Sequence, residues 1–329
     1  MSRSQDLILP DPRPGTKGRC TQFELQAALI PDENRFEYQS ARELARTVRM
    51  TIESGFEEEY FLYFHGVTDS EFEVLERELR AVQLRNSVRF TFENALDAAI
   101  LRIMPWPAHS RIAGNFFRVI EHKITSIPGH DTWSIHYFGA TLLQIPGVRS
   151  KEGHYSLGPV TRAGWDAWPS VMIETGYSKA LEYLRLDAGW WLINSAGKIR
   201  FVIIVQVMTD PLTLHIEGWA MSDSGHRQTR QTSALTPSCE QSFDIDEEGV
   251  VTSASSDLCI PYDCIFDERN GDPPNAVLNK AELTSFARWM FHLLTGNYPF
   301  NIISEKGVSL SSLRQVDWIC ERNEGPGIN

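Results

Sequence analysis

A single carboxylate, Glu174, stands near the end of the apolar stretch "SVMIETGY", beside a glycine and ahead of a segment with helical spacing. A carboxylate so placed can polarise a histidine: it favours the charged imidazole and fixes the tautomer, which makes a general acid or base. His154, in the polar turn "KEGHYS", is the first candidate partner, and His109 is a further one. Alternative readings stand beside these. Glu174 can instead bond nearby backbone or Arg185, His154 can be an ordinary hydrogen-bonding histidine, and His109 can cap a helix start. Four tryptophans, Trp106, Trp133, Trp165 and Trp168, surround these residues in sequence. They either line an apolar substrate pocket or fill the core between the sheet and its neighbours.

The elements that must position these groups follow from periodicity. "VMIETGY" and "IRFVIIVQV" read as buried strands, the second apolar on nearly every residue, as a central strand covered on both faces is. Between them Tyr177, Leu181, Leu184, Ala188 and Trp191 recur at helical spacing, with Ser178 as the predicted cap. A helix over "AHSRIAGNFFRVIEHKITSI" precedes them, and the strand "LTLHIEGWAM" follows. The Ser-, Thr- and Gly-rich stretch near 222–256 reads as a long loop or hairpin excursion, and a last helix carries Leu283, Phe286 and Met290 inward. Residues 1–20 read as a disordered arm, 21–105 as a mainly helical region with a helix near Thr91–Ile103, 106–300 as an α/β core, and 301–329 as a tail.

Composition bounds the function. The chain has 329 residues and a formal net charge of -12, a field that repels phosphate backbones and argues against a nucleic-acid-gripping protein. The five cysteines, Cys20, Cys239, Cys259, Cys264 and Cys320, show no zinc spacing and read as free thiols. No run is long and apolar enough to span a membrane, and the N-terminal residues lack a secretory pattern, so an intracellular place is expected, in the cytoplasm or the nucleus. A small-molecule ligand is the expected partner, and a homodimer is compatible with the sequence.

The stretch "PSVMIETGYSKALEYLRLDAGWWLINSAGKIRFVIIVQV" resembles the PD-(D/E)XK nuclease superfamily, and within it a fungal group with a "PSxVxEVGYSES…L…DAxWWL" block. The likeness runs from about Pro107 to Leu294. It implies a restriction-endonuclease-like core, a mixed central sheet flanked by helices, to which an N-terminal helical region is added. It also implies a Mg or Mn site of converging carboxylates with a lysine. At the matching positions this chain departs from the pattern. It has His109-Ser110 for a His-Glu pair, His154 for the metal-binding aspartate, and Gly176 for the lysine of the E-x-K element. Lys179 is the candidate for a migrated lysine, and Glu152 for a second carboxylate beside Glu174.

Three functions follow. The first is a repurposed nuclease fold with an eroded metal site, in which Glu174, His154, His109 and Lys179 do metal-independent acid–base chemistry on an apolar small molecule, such as isomerisation, dehydration or cyclisation. The second is a divergent nuclease using Mg or Mn on Glu174 and Glu152. The third is a non-catalytic pseudonuclease that binds protein partners.

Overall fold

The computed structural model describes residues 21–54, 59–104 and 108–295, apart from 163, 165, 179, 224–234, 254, 256, 269 and 270; for 105–111 and 223 no side chain is described. The expected arm (1–20) and tail (301–329) lie outside the described residues. Met1–Phe291 form one compact unit, and His292–Asn329 a second, of which only the end of a helix is described.

The first third of the chain is not mainly helical. Helix α1 (Gln22–Ala28) starts on a capping box in which the Thr21 hydroxyl accepts from the Glu24 N–H and the Glu24 carboxylate accepts from the Thr21 N–H. Strand β1 (Arg35–Glu37), α2 (Ala41–Glu53), β2 (Tyr60–His65) and α3 (Phe72–Ala81) follow. The segment predicted as a helix over Thr91–Ile103 is a hairpin, β3 (Val88–Glu93) and β4 (Ala98–Ile103). Asp97, in the left-handed region at φ 46°, helps reverse the chain after the short turn Asn94–Leu96. Alternation then sorts the side chains. Phe90, Phe92, Leu101 and Ile103 join the core that α2 and α3 cover, while Ile100 packs with Phe23 and Ala27 of α1 on the other face.

After α4 (Ala108–Thr125) come β5 (Ile135–Tyr137), β6 (Leu142–Ile145), β7 (Arg149–Glu152) and β8 (Tyr155–Pro159). Strand β9 (Val171–Tyr177), helix α5 (Leu181–Asn194) and strand β10 (Phe201–Thr209) form a crossover, and its two strands pair in parallel. Ser178 does not cap α5: it sits at φ 62°, and its N–H donates to the Val207 carbonyl at 2.7 Å. Tyr177 ends the strand rather than leading the helix.

Strands β11 (Leu212–Asp223), β12 (Leu235–Asp246) and β13 (Val251–Thr252) extend the sheet by antiparallel pairing. Of the two readings of the stretch near 222–256, a long loop or a hairpin excursion, the described residues form the hairpin: β12 pairs back on β11, with 224–234 outside the described residues. The serines, threonine and glutamine of β12 belong to an outer strand with a half-exposed face, where polar side chains cost nothing and the backbone pairs with β11. The chain closes with β14 (Leu258–Ile260), the short helix α6 (Tyr262–Ile265), β15 (Ala276–Leu278) and α7 (Lys280–Thr295), which meets α4 through Phe286 and Phe116.

The result is an α/β fold of mixed sheets flanked by helices. One sheet has the order β1-β2-β4-β3-β7-β6 and the other β13-β12-β11-β10-β9-β8-β5. The chain passes between them at Gly153-His154, the residues between β7 and β8. A Cβ on Gly153 falls 2.6 Å from the Met172 sulfur and 3.3 Å from the Trp191 ring, so any larger residue at the crossing would have to displace Met172. Helix α5 is apolar on nearly all sides and is buried along most of its length, with Leu184, Trp190 and Trp191 packed against Met172, Val202 and Ile204. No described helix is long and apolar enough to cross a membrane.

Candidate functional site

Glu174 lies in the middle of β9, 1% exposed, on the side of the sheet that faces α5. Its Oε1 accepts from the indole N–H of Trp191 at 2.6 Å. Its Oε2 is 2.5 Å from Nδ1 of His154, which the crossing between the sheets carries in from the side. The same Nδ1 is 3.1 Å from the Thr175 N–H, and Nε2 of His154 lies 3.2 Å from the Met104 sulfur. Nδ1 of His154 thus meets both the Thr175 N–H and Glu174 Oε2, which puts the imidazole and the carboxylate in direct contact.

The first sheet supplies the surrounding charges. Arg102, on β4, donates to the Glu59 carboxylate at 2.5 Å and to the Thr175 carbonyl at 2.6 Å. Its second terminal nitrogen, Nη1, is 3.9 Å from Glu174 and 3.8 Å from Asp187 of α5, and makes no hydrogen bond. Lys151, on β7, donates to Asp187 at 2.6 Å and to the Thr91 hydroxyl at 2.9 Å, and the Gln26 amide donates to the same Asp187 oxygen. Strand register explains the convergence. Phe61, Arg102 and Arg89 face one another across β2, β4 and β3, and Thr91 faces Lys151 across β3 and β7. Burial pushes the Asp187 carboxyl above its ordinary range, with Lys151 and Arg102 opposing. Burial also works against the Arg102 charge, but Glu59, Asp187 and Glu174 outweigh it and raise its pKa.

Between these side chains lies a cleft of about 310 Å³ counted out to its open mouth, whose inner space takes one water-sized group. Glu174, His154, Lys151, Arg102 and Asp187 line it, and the half-buried Phe61 and Arg89 stand on its wall. The lining is mostly charged, with Phe61 its one aromatic besides the imidazole of His154 among the described residues. Of the tryptophans expected there, Trp133 is 83% exposed and Trp168 packs half-buried against the α5 core; neither lines the cleft. Trp106 and Trp165 lie outside the described residues, as do Lys179 and the side chain of His109. Glu152 reaches the cleft but is engaged by Arg85 and by the Phe90 N–H at 3.1 Å. Burial pushes its carboxyl up, against the pull of Arg85. Arg185 pairs not with Glu174 but with Glu217, at 2.5 Å.

The donor set does not fit a magnesium or manganese ion. Glu174 and Glu152 are each held by other partners, and the Arg102 guanidinium lies near both Glu174 and Asp187, where a divalent ion would need its ligands free. Among the described residues no three His, Cys, Asp or Glu side chains are grouped so as to hold a metal ion. Gly176, at the lysine position of the resembled motif, is crowded: a Cβ there falls 2.0 Å from the Gln206 amide oxygen and 2.7 Å from a Leu184 methyl, so both side chains would have to move.

Arg102, Asp187 and Lys151 carry as much of the site as the histidine–glutamate pair, and the sequence did hold a signal for two of them. Arg102 is the lone charge in the apolar strand "AAILRI", and Asp187 the lone charge in "LDAGWWL". A single ionisable residue in an element that is otherwise buried must find a partner inside the fold, which is the property that singles out Glu174. Compared with known proteins, the chain matches no family model and no curated protein.

Proposed function

We propose that this protein is a repurposed nuclease-like α/β scaffold whose cleft performs metal-independent acid–base chemistry on a small polar molecule, with His154 and Glu174 as the proton-carrying pair. The observation that carries this reading is the 2.5 Å contact between His154 Nδ1 and Glu174 Oε2 on the wall of a cleft. A proton held between an imidazole and a carboxylate is available for transfer at little cost, which suits isomerisation, dehydration or cyclisation. Arg102 and Lys151, fixed by Glu59 and Asp187, set a positive field for charge that develops on an oxygen of the ligand. The charged lining favours a polar ligand over an apolar one. The PD-(D/E)XK resemblance of residues 169–207 supports the scaffold assignment, and the engaged carboxylates support a lost metal site.

A non-catalytic role for the same cleft is favoured by one observation, the small inner space. One experiment separates the two. Purified protein, His154→Ala and Glu174→Gln are each screened by thermal shift against small polar metabolites, and hits are followed by NMR for turnover. Conversion of a hit by the wild type, lost in both variants while binding persists, supports the acid–base reading. Binding without turnover in all three supports the non-catalytic role. Parallel calorimetry with magnesium, manganese and zinc is expected to show no binding that depends on Glu174, and magnesium binding lost in Glu174→Gln would revive a nuclease.

A further inference from the structure

The two arginines of the first sheet that face the cleft are not equivalent. Arg89 and Arg102 are directly opposite each other on the paired strands β3 and β4, so their side chains leave the same face side by side. Like charges so placed repel. Arg102 is answered by Glu59 at 2.5 Å. Arg89 is answered by no carboxylate among the described residues: its hydrogen bonds go to the carbonyls of Val88, at 2.9 Å, and Asn86, at 3.4 Å. Its Nε is buried and without a hydrogen-bond partner, and so is Nη1 of Arg102, whose side chain is 6% exposed. Both residues line the cleft, as does Gln26, whose amide oxygen is likewise buried and unpartnered. Arg89 is half-buried and feels Glu152 and Glu174 only at a distance, a weaker compensation than a direct ion pair. Burial accordingly pushes the Arg89 pKa down, against the pull of Glu152.

We infer that the inner end of the cleft is a site for the carboxylate of a small organic acid, held by Arg89 Nε and Arg102 Nη1. Two charged N–H donors, one from each guanidinium, give each oxygen of a carboxylate its own charge-assisted hydrogen bond. The group has to be small and singly charged. The inner space is water-sized, so the rest of the acid extends outward past the half-buried Phe61 and Arg89. Glu174 and Asp187, 3.9 and 3.8 Å from Arg102 Nη1, repel a dianion such as phosphate more than a monoanion. The inference rests on the reading of this cleft as a ligand site but not on its acid–base role. It names the ligand class: an acid whose carboxylate is anchored by the arginines while the histidine–glutamate pair faces its neighbouring atoms.

The test is calorimetry and thermal shift on the full chain at fixed ionic strength with acetate and propionate, against neutral acetamide, chloride and phosphate. Acetate and propionate are expected to bind one per chain and raise the melting temperature, with acetamide and chloride at least tenfold weaker. Arg89→Gln is expected to weaken carboxylate binding tenfold or more, and to melt no lower than the wild type without ligand, because it removes the weakly compensated cation. Arg89→Lys keeps the charge without the Nε donor and is expected to fall between them. Equal effects of acetate and acetamide, preference for phosphate, or unchanged affinity in Arg89→Gln would each overturn the site. Neutral polar ligands that bind in a His154-dependent way, with no carboxylate binding, would overturn it too while leaving the acid–base reading in place.

Discussion

Glu174 and Glu217 occupy one row of the larger sheet, on either side of Ile204, roughly 10 Å apart by two strand spacings. Each is met by a histidine, an indole N–H and an arginine. At Glu217 the set is closed. Arg185 donates to both carboxylate oxygens, Trp219 donates at 2.8 Å, and His215 lies between Glu217, at 2.9 Å, and Asp244, at 2.6 Å. At Glu174 the arginine stands off at 3.9 Å with an unpartnered nitrogen, and a cleft opens beside it. The same residue types thus make a structural clamp in one place and a candidate site in the other. What differs is the source of the cation. Arg185 comes from α5, which packs on the same sheet, and bends to fit Glu217, whereas Arg102 belongs to a strand of the other sheet and is already held by Glu59.

The clamp has the electrostatics of a satisfied pair. Burial opposes the His215 charge, but Asp244 and Glu217 outweigh it and raise its pKa to about 9. Burial opposes the Glu217 charge as well, yet His215 and Arg185 lower its pKa to about 2. In the cleft, by contrast, burial wins over Lys151 and Arg102 at Asp187.

The largest effect is expected where the contrast is sharpest. Arg102→Met leaves Glu59, Glu174 and Asp187 buried without their shared cation and is expected to cost about 3–5 kcal/mol in urea unfolding. A loss under about 1 kcal/mol would mean the cleft carboxylates are neutral or hydrated, and the two regions less alike than their contacts suggest. Next comes Glu217→Gln, which strands Arg185, leaves His215 with Asp244 alone and is expected to cost about 3 kcal/mol near pH 6, read by the same method.

A smaller effect appears with pH. The His215 pKa is raised from 6.5 to about 9, so its contribution is complete below pH 6.5 and is lost as pH rises through 9. For Glu217, lowered from 4.5 to about 2, the contribution is present above pH 4.5 and is lost as pH falls toward 2. The wild type is expected to lose about 2 kcal/mol relative to His215→Gln between pH 6.5 and 9, after allowance for the exposed Asp244. Parallel stability curves for the two proteins would remove the imidazolium from the clamp. The smallest change is expected in Trp219→Phe, about 1 kcal/mol, since Glu217 keeps Arg185 and His215. Trp191→Phe at Glu174 is expected to cost about twice that, a ratio that chemical denaturation of both variants measures directly.

Local pattern reached the parallel crossover β9-α5-β10 because a strand covered on both faces and a helix buried nearly all round are apolar throughout, whatever surrounds them. It failed for β3-β4, where "TFENALDAAI" spaces apolar residues as a helix does, and the reversal at Asp97 overrides that spacing. It left β12 undecided between loop and hairpin, because its polar residues suit a half-exposed outer strand as well as they suit a loop. At the site, Glu174 and His154 were legible as ionisable groups in suspect places. Arg102 and Asp187 carry the same mark, a lone charge in a buried element.

The sequence by itself determined that certain charges must be buried, since Glu174, Arg102 and Asp187 are written into elements too apolar to face water. It also determined the neighbours along each strand, because alternation is a local property. Only the tertiary structure decided which buried charge meets which. Glu174 belongs to one sheet and Arg102 to the other, and the crossing at Gly153-His154 brings the two together with an imidazole between two β-strands of different sheets. Hydrophobic burial drives that packing and is indifferent to direction, so no pattern along the chain states which faces will meet or whether a cation arrives close enough to close the pair. That remaining distance, 3.9 Å at Glu174 against 2.5 Å at Glu217, separates the open cleft from the closed clamp.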